Sequence, residues 1–216
     1  MSRYDFLKNY AVAGRHYDPS TEIHKELDQG RGNYSNISTI FKTNDPNLKP
    51  EHVNRVFDYN QGTPEDFHTP LKVDAINTGL VSPDVIHKAY FDQDHGFTVR
   101  NHIVRQPDSS DAIRNDAIRS TDRDMRYAAI RHPLATREHV LLGLKDTHQT
   151  NKAVATRSKH ITESDLDDIM KGDDEDLRVY VMMHPLRTKD HINAGLHDPA
   201  EGVRRAAKYA VENSRK

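Results

Sequence analysis

The 216-residue sequence contains no cysteine and no tryptophan. Without cysteine the chain has no disulfide framework, no thiolate metal site and no cysteine nucleophile. The N-terminal segment Met1-Ser-Arg-Tyr-Asp lacks the apolar core of a signal peptide, and no apolar run approaches the roughly 20 residues of a membrane span. We therefore expect no membrane segment and a cytoplasmic location, in a bacterial cell or in a virus-infected host.

The sequence also lacks the common catalytic and metal-binding motifs. It has no His-Glu-x-x-His pair and no Gly-x-Ser-x-Gly elbow, and Gly30-Arg-Gly32, its nearest approach to a phosphate loop, opens no apolar helix. There are fourteen histidines, but His132 and His184 precede prolines at predicted helix ends, which marks them as structural. We predict no catalytic residue, no metal site and no cofactor, so the chain is not expected to be an enzyme.

Charge is unevenly distributed along a chain whose net charge is only −2. Residues 99–160 carry twelve basic and seven acidic side chains, whereas residues 161–176 carry eight acidic and one basic. A net charge near zero gives no general attraction to nucleic acid or to anionic lipid. The acidic segment does not have the ligand spacing of a calcium loop, and we predict that it forms a solvated edge.

What the sequence does contain is an internal repeat of 26 residues. Met125–Pro133 aligns with Leu177–Pro185, so that apolar, basic, histidine and proline positions fall in register. Thr136, Thr162 and Thr188 recur at the same interval and suit a helix N-cap, with apolar residues four and eight positions later on one helical face. Each repeat therefore predicts a helix, a tight turn and a short second helix that ends at proline. A fixed period of this length is typical of stacked helical repeats.

Towards the N-terminus the register loosens and the connections lengthen. Helix starts are predicted at Asp18-Pro19, Lys49-Pro50, Ser82-Pro83 and Ser110, with loops over residues 29–38 and 59–64. We predict an all-α fold, a right-handed α-solenoid of about seven two-helix repeats. Residues 1–98 would form an N-terminal cap helix, over residues 1–17, and irregular longer repeats. Residues 99–216 would form regular 26-residue repeats of the same continuous solenoid.

The pattern from Met125-Arg126 through His132-Pro133 and Thr136 to Asp146 resembles the leucine-rich repeat variant, a member of the wider HEAT-like group of α-solenoids. The resemblance covers residues 99–211 well and 18–98 loosely. The founding variant-repeat protein holds an iron–sulfur cluster through cysteines, and since this chain has none, that cofactor does not carry over.

HEAT repeats also carry a basic residue six positions after a turn acid. Here the pairs are Asp66/Lys72, Asp94/Arg100, Asp146/Lys152 and Asp198/Arg204, whereas Ser120 and Gly172 stand in place of the acid before Arg126 and Arg178. The resemblance implies a ladder of acid–base pairs that ties each repeat to the next. A basic rail that follows a phosphate backbone is the competing interpretation of this column.

Two positions of the second helix, the third and the seventh, vary between repeats while the flanking positions stay apolar. They share one helical face, which we predict to face solvent and to bind a partner. A solvated face without a partner is the alternative. The candidate residues are Asn101, Arg105, Tyr127, Arg131, Arg157, Val179, Met183, Arg205 and Tyr209.

The repeat pattern favours a non-catalytic scaffold that binds another macromolecule through one face of the solenoid. A protein partner is favoured over nucleic acid because the whole chain is not basic and because Arg, Tyr and Met are common at protein interfaces. Two alternatives stay open: nucleic-acid binding along the basic face of residues 99–160, and a structural role through self-association.

Overall fold

The computed structural model describes residues 34–43, 48–58, 65–92 and 95–213. The predicted cap helix over residues 1–17, the helix start at Asp18-Pro19 and the loop over 59–64 lie outside these ranges. Within them all regular structure is helical, with thirteen α-helices, one short 3-10 helix and no strand. None of the helices in the described ranges is long and apolar enough to cross a membrane. The predicted all-α class is confirmed.

The chain divides into two compact units, Met1–Ile103 and Val104–Lys216. In the first unit the helices are α1 (Tyr34–Lys42), α2 (Pro50–Asn54), α3 (Glu65–Asn77), α4 (Pro83–Phe91) and α5 (Phe97–Val104), which ends just past the boundary. The 3-10 helix Arg55–Phe57 continues α2. In the second unit they are α6 (Asp111–Ala117), α7 (Arg123–Arg131), α8 (Arg137–Leu144), α9 (Gln149–Thr156), α10 (Glu163–Lys171), α11 (Glu175–Met183), α12 (Lys189–Leu196) and α13 (Glu201–Asn213).

Helix α1 corrects one prediction, because residues 34–38 were expected to belong to a loop. Ile37, Ile40 and Phe41 follow the helical i, i+3, i+4 spacing and are all buried in the first unit, where α1 packs against α3. Burial of this apolar stripe outweighs the weak helix propensity of the serines and asparagine around it. The glycines and the asparagine just before Tyr34 are typical loop residues, and they favoured the loop prediction.

Two helix starts predicted for the first unit are confirmed. Helices α2 and α4 begin at Pro50 and Pro83, each at the first helical position, where proline's missing amide costs no hydrogen bond. A side chain joins the end of α2 to the start of α4, because Asn54 Nδ2 donates to Ser82 Oγ at 3.1 Å and Asn54 Oδ1 accepts from the Ser82 amide at 2.9 Å.

The second unit consists of four helix pairs that repeat every 26 residues. The first helices begin at Asp111, Arg137, Glu163 and Lys189, and the second helices begin at Arg123, Gln149, Glu175 and Glu201. Each second helix packs against the next, α7 on α9, α9 on α11 and α11 on α13. Ala129, Ala155, Val181 and Ala207, one from each of these helices, are all 0% exposed. The period of the sequence is therefore the period of the packing.

The threonine caps form as predicted, and histidines complete two of them. Thr136 and Thr188 accept hydrogen bonds from the amides of His139 and His191, and Nδ1 of each histidine accepts from the threonine amide in return. Thr162 and Asp165 form the same reciprocal box. Since a capping box satisfies two orphan amides, these histidines fix helix starts.

The basic column does link successive repeats, but not through the predicted carboxylate pairs. Lys152 does not pair with Asp146, and Arg204 bonds to Asp198 only through the backbone oxygen of that residue, at 2.6 Å. Arg126 donates through Nε and Nη2 to Asp146, at 2.7 and 3.0 Å, so the acid lies twenty residues later rather than six earlier. Its Nη1 donates to the backbone oxygen of Ser120, six residues earlier, at 2.9 Å. Arg126 uses only the carbonyl of position 120, and a serine provides that as well as an aspartate would. Asp66 and Asp94 of the predicted pairs lie outside the described side chains.

The arginine–aspartate link recurs two repeats later, and a lysine–aspartate pair takes its place in the repeat between. Arg178 donates to Asp198 at 2.8 and 3.1 Å and to the Gly172 carbonyl at 2.7 Å. In the intervening repeat Lys152 pairs with Asp174 instead, because glycine occupies position 172. The linking side chains thus alternate with a period of 52 residues, twice the sequence repeat.

The acidic segment 161–176 is a solvated edge only in part, because five of its eight acidic residues are exposed but several of its acids bind neighbouring repeats. Asp165 accepts two hydrogen bonds from Arg137, at 2.7 and 2.8 Å, which hold the pKa of its carboxyl down to about 2. Asp167 accepts from His191 Nε2 at 2.8 Å, and Asp174 pairs with Lys152. Asp165, Asp167 and Asp174 therefore join this segment to the repeats on either side of it.

Buried histidines give the stability of the fold a defined pH dependence. Burial lowers the pKa of His132, His139 and His184 below the ordinary 6.5. Between the folded and unfolded pKa values the unfolded chain binds more protons, so the free energy of unfolding rises with pH there. We expect urea midpoints that are constant above about pH 7 and fall as the pH drops below 6.5.

Urea titrations between about pH 8 and about pH 5 separate this effect from the carboxylates, whose ordinary pKa lies near 4. His139→Gln keeps a hydrogen-bonding side chain at the third helical position but does not titrate. It should therefore give a shallower pH slope than the native chain. A midpoint that is flat or rises on acidification would contradict the assignment of these histidines as neutral.

Candidate functional site

The seventh position of each second helix is exposed throughout the predicted binding face. Arg105, Arg131, Arg157, Met183 and Tyr209 are all exposed, with Met183 at 56% and Tyr209 at 63%. In the second unit, the basic members come from the first repeats and the apolar and aromatic members from the last two. The exposed row therefore changes from charged to apolar along the packed second helices.

The third position of the same helices is less exposed than predicted. Tyr127 and Val179 are half-buried, and Arg205 is exposed. Asn101 is only 7% exposed, which contradicts its predicted place on a solvent face. Its neighbours Val99 and Ile103 are buried too, so α5 is covered on more than one side and its third position has no access to solvent.

The structure brings Tyr127, Arg131 and Arg157 together around one groove. The groove has a volume of about 560 Å³ and lies between the C-terminal parts of α7 and α9 and the turns that follow them. Ile130, Ala135 and Val154 contribute apolar surface to it, and Lys159 and His160 line it from the turn after α9. Arg105, Val179, Met183, Arg205 and Tyr209 are not among its lining residues.

The groove carries positive charge, and none of the described residues that line it is a carboxylate. Arg131 is held in place by Tyr127, because its Nη1 donates to the tyrosine hydroxyl at 2.9 Å and its guanidinium lies 5.9 Å from the ring centroid. Arg157 and Lys159 are exposed, and neither forms an ion pair within the described ranges. These cations contrast with Arg126, Lys152 and Arg178, which the links between repeats neutralise.

The two histidines that line the groove differ in their hydrogen bonding. His132 is committed to the fold, because Nε2 donates to the Gln106 carbonyl at 2.7 Å and Nδ1 accepts from the Leu134 amide at 3.0 Å. His160 has a buried Nε2 that makes no hydrogen bond to any of the described residues. A buried polar atom without a partner costs free energy.

Sequence reasoning missed Lys159 and His160, although a signal was present. Residues 125–137 and 147–162 contain no aspartate or glutamate, and the groove forms where these two acid-free segments meet. The charge of each repeat taken separately, rather than of the whole basic region 99–160, indicates these two segments.

The groove is suited to binding an anionic, partly apolar ligand. It contains no cysteine, and no group of three histidine, aspartate or glutamate side chains in the described residues is placed to hold a metal ion. No known family model matches the chain, and comparisons with curated proteins and with solved structures likewise gave no match.

Proposed function

We propose that this chain is a non-catalytic helical-repeat scaffold that binds another protein through the second helices of its second unit. The repeats would stack as an α-solenoid, with the row formed by α7, α9, α11 and α13 as the recognition surface. The 26-residue spacing of the helix starts and the packing of each second helix on the next support this arrangement.

The observation that carries the proposal is the contrast between two sets of cations. Those that connect repeats are paired with carboxylates, such as Arg178 with Asp198, whose side chains are only 9% and 6% exposed. The groove cations Arg131, Arg157 and Lys159 are exposed and face no carboxylate in the groove lining. Fold stability explains the first set but not the second, which supports a role in binding.

A protein partner is supported by the apolar end of the same row. Met183 and Tyr209 are more than half exposed, and methionine and tyrosine are favoured at adaptable and energetically important interface positions. A nucleic-acid backbone would require cations all along the row. The row instead ends in side chains that gain little from phosphate.

Site-specific crosslinking tests the proposal. A photoreactive p-benzoylphenylalanine placed at Met183 or at Tyr209 should give protein adducts in lysate that survive nuclease treatment. The same group at Leu141, which is 36% exposed on the first helix α8, is the matched control and should give few. Adducts that disappear with nuclease would favour nucleic acid, and adducts only between two copies of the chain would favour self-association.

A further inference from the structure

We propose that the groove between α7 and α9 binds an acidic peptide segment of the partner, in which carboxylate side chains flank an apolar one. This inference rests on the proposed function and adds the chemistry that the groove recognises. Three features support it: the placement of the cations, the apolar surface between them and the direction of the two helices.

The cations stand on both sides of the groove. Arg131 ends α7, Arg157 follows the last residue of α9, and Lys159 lies in the next turn. A guanidinium presents a planar fork that matches the two oxygens of a carboxylate. Because Tyr127 holds Arg131 by a hydrogen bond, this side chain has less conformational freedom to lose on binding.

Between the cations the groove lining includes apolar side chains. Ile130 is 3% exposed and Ala135 8%, and Val154 is half-buried. A volume of about 560 Å³ lies within the usual range of ligand sites, about 300–1,000 Å³. The groove has room for an apolar side chain, while the longer basic side chains reach acidic groups beside it. A purely polyanionic ligand would leave this apolar surface unused.

The direction of the helices disfavours a compact phosphate held against the helix ends. Phosphate groups are commonly bound at helix N-termini, where free amides and the helix dipole attract negative charge. The groove instead lies at the C-terminal ends of α7 and α9, where the dipole is negative. Attraction must therefore come from the tips of Arg131, Arg157 and Lys159, at a distance from the helix ends.

Selection from a display library of random short peptides against the full chain tests the inference. We expect the selected peptides to share acidic residues on either side of an apolar one. A labelled peptide from this set should bind about 100-fold more weakly to Arg131→Glu/Arg157→Glu, since two charge-assisted contacts are lost. Lys208→Glu reverses an exposed positive charge on α13, away from the groove lining. This control should bind the peptide as the native chain does.

Arg131→Gln/Arg157→Gln guards against an effect of misfolding, and should weaken binding while circular dichroism and the urea midpoint stay unchanged. Selection of no peptide, selection of peptides without the acidic and apolar pattern, or equal binding by the charge-reversed chain would overturn the inference. So would tighter binding of a labelled oligonucleotide at the same groove. If crosslinks at Met183 and Tyr209 still identify a protein partner in these cases, the proposed function stands and only the acidic segment is wrong.

Discussion

Replacing Asp146 by alanine is expected to lower the free energy of unfolding by about 3–5 kcal/mol. Its carboxylate, 2% exposed, accepts hydrogen bonds from Arg126, from Asn151 Nδ2 at 2.8 Å and from the His148 amide at 2.8 Å. Although burial alone would raise the pKa of Asp146, these donors lower it to about 2. Removing the carboxylate leaves the largely buried Arg126 charge without its counter-ion and takes one of two acceptors from Asn151 Nδ2, which keeps only the Arg123 carbonyl.

Urea unfolding followed by circular dichroism measures the effect, with Asp168→Ala as control. Asp168 is 76% exposed and, among the described residues, pairs only with Lys171 on its own helix, so its loss should change stability by less than about 0.5 kcal/mol. A double-mutant cycle identifies the partner. Asp146→Ala should couple strongly to Arg126→Ala and negligibly to Lys152→Ala. Equal coupling to both would contradict a specific Arg126–Asp146 link and would support the predicted pairing of Asp146 with Lys152, six residues later.

Adding a methyl group at Gly143 is expected to destabilise the chain by about 1–3 kcal/mol. A Cβ at this position would lie 2.8 Å from Ile130 Cδ1 and 2.9 Å from the Cβ of Ala155. The Ala155 methyl cannot rotate away, so α8 and α9 must separate to admit the new atom. Glycine recurs at position 195, where an added Cβ would lie 3.0 Å from the Cβ of Ala207. In both repeats, therefore, the close approach of the first helix to the second leaves no room for a side chain.

Gly172→Ala provides the matched control. This glycine is exposed after α10, with a φ of −80° that any residue adopts, and its nearest neighbour to an added Cβ is a carbonyl oxygen at 3.4 Å. Alanine there reduces the freedom of the unfolded chain, and we expect no loss, or a gain of about 0.4–1 kcal/mol. If Gly143→Ala and Gly172→Ala shift the urea midpoint equally, close packing is not the reason for glycine at position 143.

Arginine side chains have different roles in the links between repeats and in the groove. Arg126 and Arg178 have carboxylates of the following repeat within reach, and these pairs are largely buried. Arg131 and Arg157 lie five residues after the linking position of their repeats and face a groove lined by no acid. Changes in the first set should therefore act mainly on stability, and changes in the second mainly on binding.

The sequence by itself determined the helices of the second unit and most of their ends. Thr136, Thr162 and Thr188 cap the first helices as predicted. His132 and His184 end the second helices α7 and α11, each just before a proline. These features depend on hydrogen bonds and steric contacts within about four residues, so a single chain segment contains everything needed to infer them. The exposure of Arg131 and Arg157 also followed from the apolar pattern around them.

Only the tertiary structure decided which residues meet across repeats. Arg126 binds the carboxylate of Asp146 and only the backbone oxygen of Ser120 in the turn before it, and this choice depends on how α7 packs against the next helix pair. The meeting of Arg131 with Lys159 around one groove, and the burial of Asn101, depend on packing in the same way. Periodicity places a residue on a helical face, but the distance between two faces is set by the side chains packed between them.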